Sequence, residues 1–506
     1  MRNAHHVAAV RAAESALMAT VPEGALMQRA AAGLASVCVR LLPAVYGSRV
    51  VVLAGSGDNG GDALYAGARL ADRGAVVTAV AAAARVHEAG AAALCGSGGR
   101  VIEAADPDGR TAADSDGRTA AERAIAAADL VIDGLLGIGG HGGLREPAAS
   151  LAASAERAPC PVVAVDLPSG IDADTGEVAG AAVTADVTVT FGTLKPGLLI
   201  DPGASHAGVV EFVDIGLGPY LGRPEVAAAQ AADIADWLPR PTAESDKYRR
   251  GVLGIVAGSD RFTGAATLAV GGAIRGGAGM VRLVSSEIPV GLVRQRWPEA
   301  VLTTAHAGKQ SGAAIEQAGR VQAWTAGPGM GTGDASLSLL SAVLATDLPV
   351  LVDADGITLL AAHRDLLPRS APTLLTPHAG ELSRLLGADR ADIEARRLHF
   401  VTQAAAELGC TVLLKGSTTV IASPDPGQEV LVNPTGTSWL ATAGSGDVLS
   451  GLAGSLLAQG LDPARAAAAA AYLHGIAARL AADGAPIGSE DIITALPAAI
   501  RTVETR

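Results

Sequence analysis

Ala441-Thr-Ala-Gly-Ser-Gly-Asp-Val-Leu-Ser-Gly-Leu-Ala-Gly454 reads as a glycine-rich turn, Gly444-Ser-Gly446, running into a helix that starts near Asp447. Val448, Leu449, Leu452, Leu456 and Leu457 recur at helical spacing. Glycine lets a backbone approach a ligand closely and adopt positive φ. A helix start offers unpaired N–H groups and partial positive charge, which suits a phosphate or a developing anion. Asp447 stands at that end, where the helix field favours its ionised form, and a carboxylate so placed can take a proton from a substrate hydroxyl. The plain alternative is a turn with an Asp cap.

Upstream stand Asn433-Pro-Thr-Gly436 and Lys415-Gly-Ser-Thr-Thr419. With the Gly-Ser-Gly-Asp stretch they resemble the ribokinase-like superfamily, whose nucleotide lies against such a loop and whose catalytic Asp closes an anion hole.

At 506 residues the chain is too long for one core, so two domains are expected. Aromatic residues are only 3%, which leaves Ala, Val, Leu and Ile to build the cores. A net charge of −13 argues against general nucleic-acid binding. Lysine is scarce: Lys195, Lys247, Lys309 and Lys415 are the full set, so a lysine inside a motif stands out. Cys38, Cys95, Cys160 and Cys410 lie far apart with no metal or disulfide spacing, which points to buried thiols in a reducing compartment. The Ala-rich stretch 464–482 is interrupted by Arg465, His474 and Arg479, so no run reaches membrane character. A cytoplasmic protein is expected.

Along the N-terminal half, helices are expected at 7–20 and 24–42. Arg49-Val-Val-Val-Leu-Ala-Gly55 reads as a buried strand, followed by loop 55–62 and a helix through about Arg73. Further strands are expected at 75–81, 129–135, 161–167, 184–191 and 208–213. This alternation predicts a parallel, Rossmann-like sheet. Three strand ends carry polar, glycine-rich loops. Gly55-Ser-Gly-Asp-Asn-Gly-Gly-Asp62 follows the first. Asp133 leads into 134–147, and Asp166 into Leu167-Pro-Ser-Gly-Ile-Asp172. Ligands in open α/β sheets bind beyond the carboxyl ends of strands, so these loops define one crevice.

Those motifs resemble the YjeF-type epimerase domain of the NAD(P)H-hydrate repair system, across roughly residues 1–220. The usual Asn-Asn-Gly-Gly-Asp-Gly loop is here Asp58-Asn-Gly-Gly-Asp-Ala63. The resemblance implies that Asp58, Asn59, Gly60, Gly61 and Asp62, with Gly137, Ile138, Gly139, Gly140, His141, Gly142 and Gly143, bind the hydrated nucleotide. It further implies that Asp166 contacts the substrate and that Asn59, Asp133 and Ser169 hold K+. An oxygen-only set suits such a hard cation, and a carboxylate such as Asp166 can relay the proton that epimerisation moves. Lys195 either faces this site or is a solvated loop lysine. A tandem repeat, Asp108-Gly-Arg-Thr-Ala-Ala113 and Asp116-Gly-Arg-Thr-Ala-Ala121, reads as an exposed insertion without a catalytic role.

Pro and Gly punctuation over 214–247 places a boundary near residue 225, giving domains 1–225 and 226–506. Beyond it, strands are expected at 251–257, 281–284, 321–326, 350–353, 372–376, 411–416 and 418–422. Their loops carry Gly258-Ser-Asp-Arg-Phe-Thr-Gly-Ala265, Gly327-Pro-Gly-Met-Gly331, Asp353-Ala-Asp-Gly356 and Thr376-Pro-His-Ala-Gly-Glu381. This ordered series resembles the NAD(P)H-hydrate dehydratase domain over nearly all of 240–500. The resemblance implies that Ala265, Gly329, His378 and Asp447 line the hydrated nicotinamide nucleotide, and that Lys415, Gly416, Ser417, Thr418, Thr419 and Gly446 bind the adenine nucleotide, ADP in bacterial members. His378 alternatively caps a helix. Asp353 and Asp355 either hold Mg2+ or stabilise their turn.

The expected fold is therefore α/β in two domains, an N-terminal Rossmann-like three-layer sandwich and a C-terminal ribokinase-like α/β domain. The expected activity is bifunctional: epimerisation of the R and S hydrates NADHX and NADPHX, and ADP-dependent dehydration of the S hydrate, in a homo-oligomer without nucleic-acid or membrane partners. The competing reading is a ribokinase-like small-molecule kinase with a non-catalytic N-terminal binding module.

Overall fold

The computed structural model describes residues 1–104, 119–306 and 312–504. Most of the tandem repeat lies outside the described residues. Its last three, Thr119–Ala121, open a short helix, Ala120–Ala126, with Thr119 and Glu122 forming a reciprocal cap. The described chain forms two compact units, Asn3–Glu225 and Val226–Arg506 with Met1–Arg2.

The N-terminal unit is built on seven parallel strands: β1 Arg49–Ala54, β2 Val76–Ala81, β3 Arg100–Glu103, β4 Leu130–Gly134, β5 Val162–Val165, β6 Val187–Phe191 and β7 Val209–Val213. They lie in the order β3-β2-β1-β4-β5-β6-β7. Strand alternation divides β1 between two cores: Val50, Val52 and Ala54 enter one, Val51 and Leu53 the other. Both faces are therefore covered, which makes three layers. The order reverses between β1 and β4, the topological switch point where α/β sheets place ligands.

Helix α1 spans Asp58–Ala71, so residues 58–62 are its first turn rather than a loop. Gly60 is needed there for close packing, since a β-carbon would collide with the Gly55 carbonyl.

The C-terminal unit continues with β8 Val226–Ala228, β9 Val252–Val256, β10 Met280–Ser285, β11 Val301–Thr304, β12 Ala323–Ala326, β13 Val350–Val352, β14 Thr373–Leu375, β15 Thr411–Leu414, β16 Thr419–Ala422 and β17 Val430–Asn433. Their order is β8-β17-β16-β15-β14-β13-β12-β9-β10-β11. The run from β15 to β11 is parallel, while β16 pairs antiparallel with both β15 and β17.

Helix α2, Thr263–Arg275, crosses α3, Ser445–Ala458, at backbone contact. A β-carbon on Gly272 would strike the Val448 carbonyl, and one on Gly451 the Ala269 carbonyl. Every residue from Val448 to Ala458 is buried. The all-round burial explains why α3 mixes Leu, Ala, Gly and Ser instead of showing one polar face. Helix α4, Pro463–Ala482, and the last helix, Ser489–Glu504, complete this layer.

All four tryptophans, Trp237, Trp297, Trp324 and Trp439, fall in this unit. The four cysteines are free: Cys38 and Cys410 are buried, as expected, whereas Cys95 is exposed and Cys160 half-buried. No described helix is long and apolar enough to cross a membrane.

Gly451→Ala is expected to destabilise the chain by about 1–3 kcal/mol through overpacking at the α2–α3 crossing. Gly291→Ala, also helical but with open space at its β-carbon, should be neutral or stabilising by up to about 1 kcal/mol. Thermal melts of the two full-length variants check the contrast.

Candidate active sites

In the N-terminal unit, the three predicted strand ends converge. Asp133 is fully buried at the end of β4. Its Oδ1 accepts from Ser169 Oγ at 2.7 Å, and its Oδ2 from the Ser169 N–H at 2.8 Å. Burial pushes its carboxyl up to about 6 against these hydrogen bonds and one from Leu135. Asn59, on the first turn of α1, donates Nδ2 to the carbonyls of Leu136 at 2.9 Å and Val165 at 2.5 Å. Gly137 lies against it: a β-carbon there would sit 2.8 Å from the Asn59 side chain. The predicted cation set, Asn59, Asp133 and Ser169, is thus gathered around oxygen atoms, with a buried carboxylate that no side-chain cation among the described residues neutralises.

Asp166 leaves β5 with φ +67°, the left-handed conformation that Asp tolerates better than most residues. Its Oδ1 receives the Lys195 ammonium, the Phe191 N–H at 3.1 Å and the Thr190 hydroxyl at 3.2 Å. Lys195 is only 1% exposed, so the solvated-loop reading fails. Asp62 is also buried, and its Oδ1 has no hydrogen-bond partner. Burial, then the charges of Asp166, Asp58 and Glu14, raise its pKa well above the carboxylate range. Glu14 is shifted the same way by burial and by Asp166. No motif marks Glu14. It arrives on the helix Val7–Met18 and becomes visible only when that helix docks.

The remaining loop residues are more open. His141 is largely exposed and reaches Asp172 at 3.4 Å, and Gly139 lies beside Arg11. Asp172 accepts from the backbone N–H groups of Asp174 and Thr175, which makes it a turn residue.

In the C-terminal unit, a cavity of about 750 Å³ is lined by His378, Lys415–Ser417, Thr419, Gly436–Ser438, Ser445, Gly446 and His474, among others. Helix α3 begins at Ser445, two residues earlier than predicted, after Gly444 at φ +86°. Gly446 therefore carries a first-turn N–H group at the cavity wall, whereas the Ser445 N–H donates to the Thr442 carbonyl at 3.4 Å.

Lys415 follows β15 and pairs with Asp353 at 2.7 Å. Burial alone would lower its pKa, but Asp353 and then Glu381 outweigh this and the net shift is upward. Asp353, fully engaged after β13, also accepts from Ser450 Oγ of α3 at 2.5 Å. Asp355 accepts the Gly331 N–H at 2.8 Å. Gly329 stands against Ala265, 2.7 Å from where its own β-carbon would be. These bonds tie the loops after β9, β12, β13 and β15 to the start of α3.

Asp447 does not line the cavity itself; its neighbour Gly446 does. Its carboxyl is pushed up to about 7, by burial first and then by Asp353 and Asp355, with Lys415 opposing. The helix field alone favours the anion; desolvation and two neighbouring carboxylates outweigh it. His378 is a helix cap at the cavity wall. Its Nδ1 accepts from Gly380 and Glu381 as a helix cap, while the ring borders the cavity. Arg397, which no motif announces, is buried beneath the 415–419 loop. Its Nη1 faces the carbonyls of Lys415 and Thr418 at 3.5 and 3.4 Å, and Gly416 leaves room for it. Among the described residues no three His, Cys, Asp or Glu side chains gather as a metal site.

Comparison with known proteins agrees with this geometry. A family profile described as NAD(P)H-hydrate dehydratase matches residues 253–497, and one described as YjeF-related protein N-terminus matches 23–197. A bifunctional NAD(P)H-hydrate repair enzyme of Mycobacterium leprae is 46% identical, over 100% of this chain and 99% of its own. The chain belongs to the bifunctional NAD(P)H-hydrate repair enzyme family. A Mycobacterium tuberculosis member of this family is 48% identical over 92% of both chains. The fold of the C-terminal half is shared with a ribokinase-like superfamily protein of Enterococcus faecalis. That structure is 24% identical with a TM-score of 0.50, and the match covers 56% of this chain and 99% of that one.

Lys195→Met would strand the Asp166 carboxylate in the interior. A loss of about 3–5 kcal/mol in stability is expected, measured by denaturant unfolding, because a buried charge loses its partner.

Proposed function

We propose that residues 1–225 epimerise the R and S hydrates of NADH and NADPH, and that residues 226–506 dehydrate the S hydrate with ADP converted to AMP and phosphate. The observation that carries the second half is the Gly446 helix start beside Lys415 on a 750 Å³ cavity, with Asp447 next to it. Hydroxide is a poor leaving group. Asp447 takes the proton as the substrate hydroxyl attacks the terminal phosphoryl group of ADP, which releases AMP. Phosphate then leaves, pushed out by the nitrogen lone pair of the hydrated nicotinamide ring, and the adjacent ring carbon gives up a proton so that the C=C bond of NAD(P)H forms. The first-turn N–H group at Gly446, together with Lys415, balances the charge on the transferring group. Arg397 supports the 415–419 loop from below, and Ala265, Gly329 and His378 hold the nicotinamide nucleotide.

In the N-terminal half, Asp58–Asp62 and Gly137–Gly143 hold the hydrated nucleotide. The Lys195-paired Asp166 orients the substrate. Asp62, held toward its neutral form, is suited to exchange a proton with it.

Potassium fits the Asn59–Asp133–Ser169 cradle, because the donors are oxygens and Asp133 lacks a cationic partner there. When bound, it supplies fixed positive charge near the substrate phosphates. Magnesium is proposed at the nucleotide phosphates with Asp355 as a protein contact, since Asp353 is already taken by Lys415 and Ser450. Self-association into a homo-oligomer belongs to the same proposal and is read by light scattering.

Mixed R and S hydrates with ADP should convert fully to NAD(P)H, followed by absorbance. A halt near the S fraction would mean a silent N-terminal half, and a stable phosphorylated product would mean a kinase. Asp447→Asn should abolish dehydration with ADP binding largely kept. For the intact enzyme, kcat/KM should fall as pH drops below about 7, because protonation removes the base. Replacing potassium by tetramethylammonium should lower the melting temperature of the N-terminal half and slow epimerisation, leaving dehydration of pure S hydrate unchanged.

A further inference from the structure

The helix Val7–Met18 packs along two adjacent stripes. Val10, Ala13 and Leu17 enter the N-terminal core. Val7, Arg11 and Glu14 fall at i, i+4 and i+7, so they share the neighbouring stripe. That stripe meets the loops beyond two strand ends. The Val7 N–H donates to Asp174 Oδ1 at 2.7 Å, and the Val7 side chain packs against the small core that includes Leu167 and Ile171. The Arg11 guanidinium lies 2.8 Å from where a β-carbon on Gly139 would be. Glu14 is the third residue of this stripe.

Its carboxyl is half-buried, and no hydrogen bond or ion pair among the described residues engages it. Burial and then the Asp166 charge raise its pKa, with Lys195 opposing, Asp58 adding and Arg11 opposing. Asp62, buried with Oδ1 unpartnered, feels the charge of Glu14 in turn. Three elements thus bring Glu14, Asp62 and Asp166 into electrostatic reach of one another. Gathering like charges without partners costs stability, and such arrangements cluster where protons are moved. Packing does not ask for it, since the core stripe of the helix is complete without Glu14.

Inverting a hydroxyl-bearing ring carbon calls for two proton-exchanging groups, one protonated and one ionised. The first gives its proton as the C–O bond breaks. Oxygen departs as water with the bonding pair, and the ring nitrogen lone pair closes a C=N bond. Water then adds to the carbon from the other face, the C=N pair returns to nitrogen, and the second group takes the surplus proton. The reverse reaction exchanges the two roles. We propose that Glu14 is a catalytic residue of the epimerase half, the partner of Asp62 in this proton exchange. This rests on residues 1–225 being the epimerase.

The test uses the full-length protein without ADP, so that dehydration is silent, and follows interconversion of the purified R and S hydrates of NADH by chromatography. Glu14→Gln should lower kcat about 100-fold and leave KM within about threefold. Glu14→Asp, which keeps the acid at shorter reach, should turn over at least about tenfold faster than Glu14→Gln. The ligand-free calorimetric melt of Glu14→Gln should be equal to or above wild type, because one carboxyl among like charges has been neutralised. With ADP added, dehydration of pure S hydrate should be unchanged in both variants. A wild-type epimerisation rate in Glu14→Gln overturns the proposal, as does a raised KM with kcat intact, or an equal loss in both variants with a lowered melt. If the wild type does not interconvert the hydrates above the uncatalysed rate, the epimerase reading itself falls, and the role of Glu14 with it.

Discussion

The Lys415–Asp353 pair holds the C-terminal site in register. Asp353 ends one strand, Lys415 follows another, and Ser450 brings the first turns of α3 to the same carboxylate. A buried ion pair brings little net stability, because desolvating two charges offsets their attraction. Its value here is geometric. The ammonium is fixed at the cavity wall, and the helix start is fixed beside it. The N-terminal half uses the same device for different chemistry, with Lys195 clamped on Asp166 at the end of β5. Among the described lysines, these two are the ones committed to strand-end aspartates.

That clamp also changes how the carboxylate at the start of α3 behaves. Asp447 sits within the field of Asp353 and Asp355, so the helix dipole does not set its charge alone. Its proton affinity is a property of the assembled site, placed near neutrality where a base works best. The motif announces the residue, but the neighbours that tune it come from loops nearly a hundred positions away.

Central strands were legible in the sequence because both faces are buried, and β-branched runs such as Val50–Leu53 leave little ambiguity. The strands that escaped it are short or lie at sheet edges. Arg100–Glu103 and Val301–Thr304 end their sheets and are only half-buried, so their pattern is weak, and Val226–Ala228 has three residues. Both helix starts were placed too late for one reason: glycines at 60–61 and 446 read as turns. The structure uses them as helical residues, at Gly60 to let backbones touch and at Gly446 to form the open wall of a cavity. Strand-end aspartates were found by position. Glu14 and Arg397 were not, since each acquires its neighbours only through tertiary packing.

A core built from small aliphatic residues has an optical side as well as a mechanical one. With every indole confined to residues beyond 225, intrinsic tryptophan emission reports on one half of the molecule alone. Trp324 and Trp297 are shielded inside that half, while Trp439 adjoins the cavity between its lining residues Ser438 and Leu440. The epimerase half is silent to this light. A chain whose N-terminal half had come apart would still glow as though intact.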